Sequence, residues 1–105
     1  MDMFSALAEP TRRGILEMLA VRGQLSATDI YDKFQASPPA ISQHLKVLRE
    51  ANLVQVEKRA QQRLYQINPD KIQEFEKWVL QMKQNWEERF EGLDRVLKME
   101  KNRKR

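Results

Sequence analysis

Residues 37–67 read SPPAISQHLKVLREANLVQVEKRAQQRLYQI, and two periodicities follow one another within them. Up to Ala51 the apolar side chains recur at helical spacing: Ile41, Leu45 and Leu48 form a stripe, flanked by Ala40, Val47 and Ala51. Ser37 followed by Pro38 is the chemistry of a helix start. The hydroxyl can accept one of the orphan amides, and proline lacks an N–H that would be unpaired there. The opposite side carries Pro38, Pro39, Ser42, Gln43, Lys46 and Arg49, a polar and basic face. From Leu53 the period falls to two. Leu53, Gln55 and Glu57 alternate with Val54, Val56 and Lys58, and residues 63–67 alternate again, which predicts two strands. Between them Arg59-Ala60-Gln61-Gln62 has no Asn-Gly or Gly signal for a tight two-residue turn, so a longer loop is expected. A two-stranded hairpin is not stable alone in water and must lean on the helices.

Upstream, Met3 to Ala8 reads as a short helix. A second helix opens at Pro10, carries Ile15, Leu16, Met18 and Leu19 at helical spacing, and stops near Gly23. Ser26 with Asp29 three residues later resembles a capping box with Asp in place of Glu, and starts a helix of about nine residues whose apolar face is Ile30, Tyr31 and Phe34. Gln35-Ala36 then leads to the Ser37 cap. Downstream, Pro69 and Asp70 begin the longest helix. Ile72, Phe75, Val79, Met82, Trp86, Leu93 and Leu97 recur at spacings of three, four or seven, widened by Trp78 and Phe90. A seam of about 28 residues, or about 40 Å, is longer than so small a domain can cover. Much of it, including Trp86 and Phe90, is expected to pack on a second subunit. Gly92 is a mild helix penalty within it.

The chain has 105 residues, room for one domain, taken here as residues 1–97 with a basic, frayed tail at 98–105. It has no cysteine, which excludes disulfides and thiolate metal sites and fits the cytoplasm. The N-terminus lacks the charged leader and apolar run of a signal peptide. No stretch approaches the roughly 18 apolar residues of a membrane span, so a membrane is not an expected partner. The net charge of +4 matters through its placement. Residues 37–67 carry five bases (Lys46, Arg49, Lys58, Arg59, Arg63) against two acids, whereas the sections on either side are slightly acidic until the tail. A basic segment that coincides with a motif is better evidence for a nucleic-acid partner than a high isoelectric point.

The predicted order is a mainly α fold with a small β-hairpin: a winged helix-turn-helix with the recognition helix over about 37–51 and the wing over about 58–63. The N-terminal end of such a helix enters the major groove and must display polar and cationic side chains there. Ser42 and Gln43 can hydrogen-bond base edges, and Lys46 can reach a phosphate or a guanine. Lys58, Arg59 and Arg63 on the wing are placed for an adjacent minor groove or backbone. The expected partner is double-stranded DNA.

The stretch AISQHLKVLREANLVQVEKRAQQRLYQI resembles the core of the ArsR/SmtB family of winged-helix repressors, and FSALAEPTRRGILEML resembles that family's first two helices. The resemblance implies a homodimer joined through its first and last helices, here Phe4, Leu7, Val79, Met82, Trp86, Phe90, Leu93 and Leu97. It also implies an inverted-repeat operator and repression by blocking polymerase. The family's base-contacting face falls on Pro38, Pro39, Ser42 and Gln43. The two prolines stand where polar residues are common, and offer apolar contact to a thymine methyl. Many members sense metal through Cys-x-Cys-Asp in the helix before the recognition helix. Here that stretch is Ser26-Ala27-Thr28-Asp29, and the last helix, where others use His, has none. The resemblance therefore implies a metal-independent member with no cofactor, whose small-molecule effector, where there is one, is not named by its residues.

Other residues have plainer readings. His44, the single histidine, sits beside the buried stripe, which favours a half-buried structural role over DNA contact or titration. Ser42 and His44 are two apart on a helix and cannot face each other as a catalytic pair. Glu87 and Glu91 are too few oxygens for a hard cation and read as a solvated face. Trp78 and Trp86 at helical spacing read as packing residues before pocket residues. Arg12 and Arg13 are open between phosphate contact and pairing with Glu9 or Glu17. The tail is open between non-specific DNA affinity and a solubilising end. There is no glycine-rich phosphate loop, metal cluster or nucleophile with a base in reach, so an enzyme is not expected. The alternative to a DNA-binding regulator is a winged-helix protein-interaction module.

Overall fold

Each helix of the computed structural model, which describes residues 2–103, begins where a short polar side chain can close it. Asp2 accepts the Ser5 amide at 2.7 Å and caps α1, Met3–Leu7. Glu9 accepts the Arg12 amide at 2.9 Å and caps α2, Pro10–Arg22, with Pro10 in the first turn. Gly23, at φ 86, ends α2 in a conformation that β-carbons disfavour. Ser26 accepts the Asp29 amide at 3.1 Å and starts α3, Ala27–Lys33, seven residues rather than nine. Ser37 accepts the Ala40 amide at 3.4 Å and starts α4, Pro38–Glu50. At the far end of α4, Asn52 takes φ 61, its amide donates to Arg49, and the Leu53 amide donates to Leu48. This is the paired bonding of a Schellman stop, with Leu53 buried as its apolar anchor.

The sheet corrects the sequence reading twice. Two strands were expected and three form. Short β1, Gln24–Ser26, pairs antiparallel with β3, Gln62–Ile67, which also pairs with β2, Val54–Arg59, in the order β1-β3-β2. Three residues have no readable alternation of their own, so β1 exists only because the edge of β3 supplies its partners. The wing turn is also tighter than expected: Arg59 faces Gln62 in register, leaving only Ala60 and Gln61 to turn the chain. Ala60 does so at φ 53, the role glycine usually fills, which is why no glycine signal announced it.

The core lies among α2, α3, α4 and the start of β2. Ile15, Leu19, Ile30, Ile41, Leu45, Leu48 and Leu53 are the largest fully buried side chains. Gly14 permits a close approach of Phe34, whose ring would stand 3.2 Å from a β-carbon added there. Asn68 joins the wing to the last helix. Its side chain donates to the Asn52 carbonyl at 2.8 Å and accepts the Asp70 amide at 3.2 Å at the start of α5, Pro69–Arg103.

The described residues up to Ile72 form one compact unit, and α5 from Gln73 onward forms a second. The helix runs to Arg103, through most of the stretch expected as a basic, frayed tail; Lys104 and Arg105 lie outside the described residues. On α5 itself, Lys83 pairs with Glu87 at 3.9 Å and Arg95 with Glu91 at 4.0 Å, four residues apart on an exposed face. The rings of Trp86 and Phe90 meet edge to face at 5.0 Å.

Candidate nucleic-acid interface

The recognition helix keeps its polar face outward. Burial of Ile41, Leu45 and Leu48, with Val47 and Ala51 beside them, turns Pro38, Pro39, Ser42, Gln43 and Lys46 to solvent along one side of α4. The Ser37 cap fixes where that face begins. The buried apolar side chains on the opposite side fix its rotation, because at 3.6 residues per turn an inward stripe leaves only one outward stripe. Ser42 is not free: its Oγ lies 2.7 Å from the Tyr31 hydroxyl of α3, which orients it.

The three wing cations do not form one patch. Residues opposite one another across β2 and β3 share a face of the sheet. Lys58 lies opposite Arg63, on the face that also holds Tyr65 and Val56. Arg59 lies opposite Gln62 on the other face, where Glu57 binds its Nε at 3.0 Å. Arg63 comes to α4: it borders a cleft with Ser42, Lys46 and Arg49. The structure therefore brings together Ser42, Lys46 and Arg63, and sets Arg59 apart with a partner of its own. The sequence had placed Arg49 on the outward face without assigning it a contact, and had read Tyr31 as apolar. Neither pattern could show that α3 and β3 converge on α4.

Arg12 and Arg13 both reach back to α1. Arg12 donates from Nε to the Ala6 carbonyl at 2.7 Å and from Nη2 to the Ser5 carbonyl at 3.3 Å, while Arg13 donates from Nη1 to the carbonyls of Leu7 and Ala8 at 2.8 and 3.0 Å. They close the C-terminal end of α1, where so short a helix leaves carbonyls in need of donors. His44 is half-buried as expected, beside Arg12 and Glu9. The Glu9 carboxyl is held below the usual range chiefly by the Arg12 amide it caps. Ser26 is buried and occupied as the cap of α3.

Of the residues expected at a subunit interface, Phe4 is exposed and Leu7 half-buried on α1. On α5, Val79, Met82, Trp86, Phe90, Leu93 and Leu97 are all exposed in the single chain, Trp86 by 60%. No described helix is long and apolar enough to cross a membrane.

Residues 9–56 match the family model described as bacterial regulatory protein, arsR family. The transcriptional repressor SdpR of Bacillus subtilis (strain 168) is 35% identical over 79 residues, covering 75% of this chain and 87% of that protein. The chain belongs to the ArsR family. Among solved structures, an ArsR-like transcriptional regulator from Rhodococcus sp. RHA1 superposes with a TM-score of 0.78 at 25% identity, over 89% of this chain and 87% of that one. A possible transcriptional regulator for arsenical resistance gives 0.70 at 34% identity, over 78% and 84%. The protein is a winged-helix, DNA-binding transcriptional regulator and not an enzyme.

Proposed function

We propose that this ArsR-family regulator acts as a homodimeric repressor that seats α4 in the major groove of each half of an inverted-repeat operator, with the wing on the flanking backbone. The observation that carries it is the outward row Pro38, Pro39, Ser42, Gln43 and Lys46 beside Arg63 and Lys58 on the α4-facing side of the wing. Amide and hydroxyl groups at the N-terminal half of the helix suit base edges, and the cations suit phosphates. The apolar row from Val79 to Leu97 supports a dimer. A soluble single chain rarely leaves Trp86, Phe90 and Leu93 in water together, and a second copy of α5 is the simplest cover. Repression is supported by the printed role of the Bacillus subtilis relative. A DNA partner supports a cytoplasmic location. With no cysteine to supply thiolates, its operator binding is expected not to respond to thiophilic metals, and its effector, where there is one, is a small molecule.

Selection of bound duplexes from a random pool tests the proposal. A two-fold symmetric consensus with half-sites about one helical turn apart supports it. Recovery of unselected sequence at moderate salt overturns it.

A further inference from the structure

Between α3, α4 and β3 lies a cleft of about 210 Å³. Three cations border it, Lys46 and Arg49 from α4 and Arg63 from the wing, with the hydroxyl-bearing side chains Tyr31, Ser42 and Tyr65. No carboxylate lines it, and none of the three cations makes an ion pair among the described residues. Tyr65 is 6% exposed as a residue, but its hydroxyl is not buried and makes no hydrogen bond among the described residues, so it is open to the cleft. Arg59, Lys83 and Arg95, by contrast, each have an acid within 4.0 Å, in Glu57, Glu87 and Glu91. Three like charges brought to one concavity without a counter-charge repel one another, and a bound anion relieves that repulsion.

We propose that this cleft is the seat of one phosphate group, gripped between the recognition helix and the wing by Lys46, Arg49 and Arg63 and hydrogen-bonded by the Tyr65 and Ser42 hydroxyls. The proposal rests on the DNA-regulator reading for its expected occupant, a backbone phosphate of the duplex, and adds Arg49, Tyr31 and Tyr65 to the binding residues. Arginine forks match phosphate oxygens in pairs, so Arg49 and Arg63 supply direction where Lys46 supplies a point charge. Tyr31, bonded to Ser42 at 2.7 Å, orients that hydroxyl. A seat built from α3, α4 and β3 at once also sets the wing's position against the recognition helix when it fills.

The test has two arms on the full chain. In the first, binding to a labelled duplex is followed across a salt series for the wild type, Arg49→Ala, Tyr65→Phe and the remote charge control Lys83→Ala. Arg49→Ala is expected to weaken binding about tenfold on all sequences alike and to lower the salt slope by about one, while Lys83→Ala leaves both in place. Tyr65→Phe, which keeps the ring, is expected to weaken binding a few-fold. In the second arm, inorganic pyrophosphate is titrated against the amide NMR signals of residues 27–31 and 63–65. These should move in the wild type and not in Arg49→Ala. A duplex effect, with or without a pyrophosphate effect, supports the seat with DNA as its occupant. An Arg49-dependent pyrophosphate effect without a duplex effect supports it with a free phosphate-bearing molecule as occupant. If Arg49→Ala binds duplex like the wild type and pyrophosphate moves nothing, the seat is overturned while the DNA reading stands. If the wild type binds no duplex, the DNA reading falls on its own and the pyrophosphate arm alone decides the seat.

Discussion

Arg12 Nη1 lies 3.2 Å from Nδ1 of His44, joining the second helix to the recognition helix across 32 residues of sequence. A guanidinium can only donate, so in this contact Nδ1 is the acceptor. Glu9 Oε2 is 3.8 Å from the same nitrogen, beyond hydrogen-bond range, and its nearer partner is the Arg12 amide at 2.9 Å. Arg12 thus ties α1, α2 and α4 with one side chain. Arg12→Ala is expected to lower stability by about 1–2 kcal/mol, since several charge-assisted bonds at a half-buried site are lost together. Urea unfolding measures it. A midpoint equal to the wild type's would show that the three contacts carry no stability.

Glu9 makes stability depend on pH. Its carboxyl is held below the ordinary range, first by the Arg12 amide. A depressed folded value means the ionised group stabilises the native state above the unfolded value, and that this contribution fades as pH falls through the folded one. Glu9→Gln is expected to be less stable than the wild type at neutral pH, and the difference should close on acidification. Thermal unfolding followed at a series of pH values checks the sign. A gap that widens in acid would contradict it.

Ala60 turns the wing at positive φ, and it alone of the two turn residues does so. That is the pattern of a type II′ turn, whose first central position favours glycine. Ala60→Gly is therefore expected to stabilise the protein by about 0.5–1 kcal/mol, the relief of backbone strain exceeding the added freedom of the unfolded chain. Duplex affinity should not change, because no charge moves.

The two arginines of the wing separate in their effects. Arg63 faces α4, whereas Arg59 is on the opposite face of the sheet and held by Glu57. Arg63→Ala is expected to weaken duplex binding about tenfold, near 1.4 kcal/mol, and Arg59→Ala by less than about threefold. Anisotropy titrations at fixed salt compare them. Equal losses would place both on the DNA.

For the subunit contact, Trp86→Asp puts a charge where an apolar surface is proposed to close. Sedimentation should show a monomer with its helical circular dichroism retained. A variant that sediments like the wild type would mean that the row on α5 is not the contact.

The amino-acid order was sufficient wherever a feature depends on neighbours within a few residues. The caps at Ser26 and Ser37, the inward stripe Ile41, Leu45 and Leu48, the outward row through Lys46 and the alternation of both wing strands are all local periods and local hydrogen bonds. What only the tertiary structure decided lies across long separations. Strand β1 waits for β3, Arg12 finds His44, and Arg63 and Tyr65 arrive beside Arg49 from the wing. A pair 14 to 42 positions apart leaves no period to read, and a three-residue strand or an alanine at positive φ has too little propensity of its own. Such features come into being when burial of the core brings separate elements together, since the free energy that holds them is supplied by the packing and not by the segment.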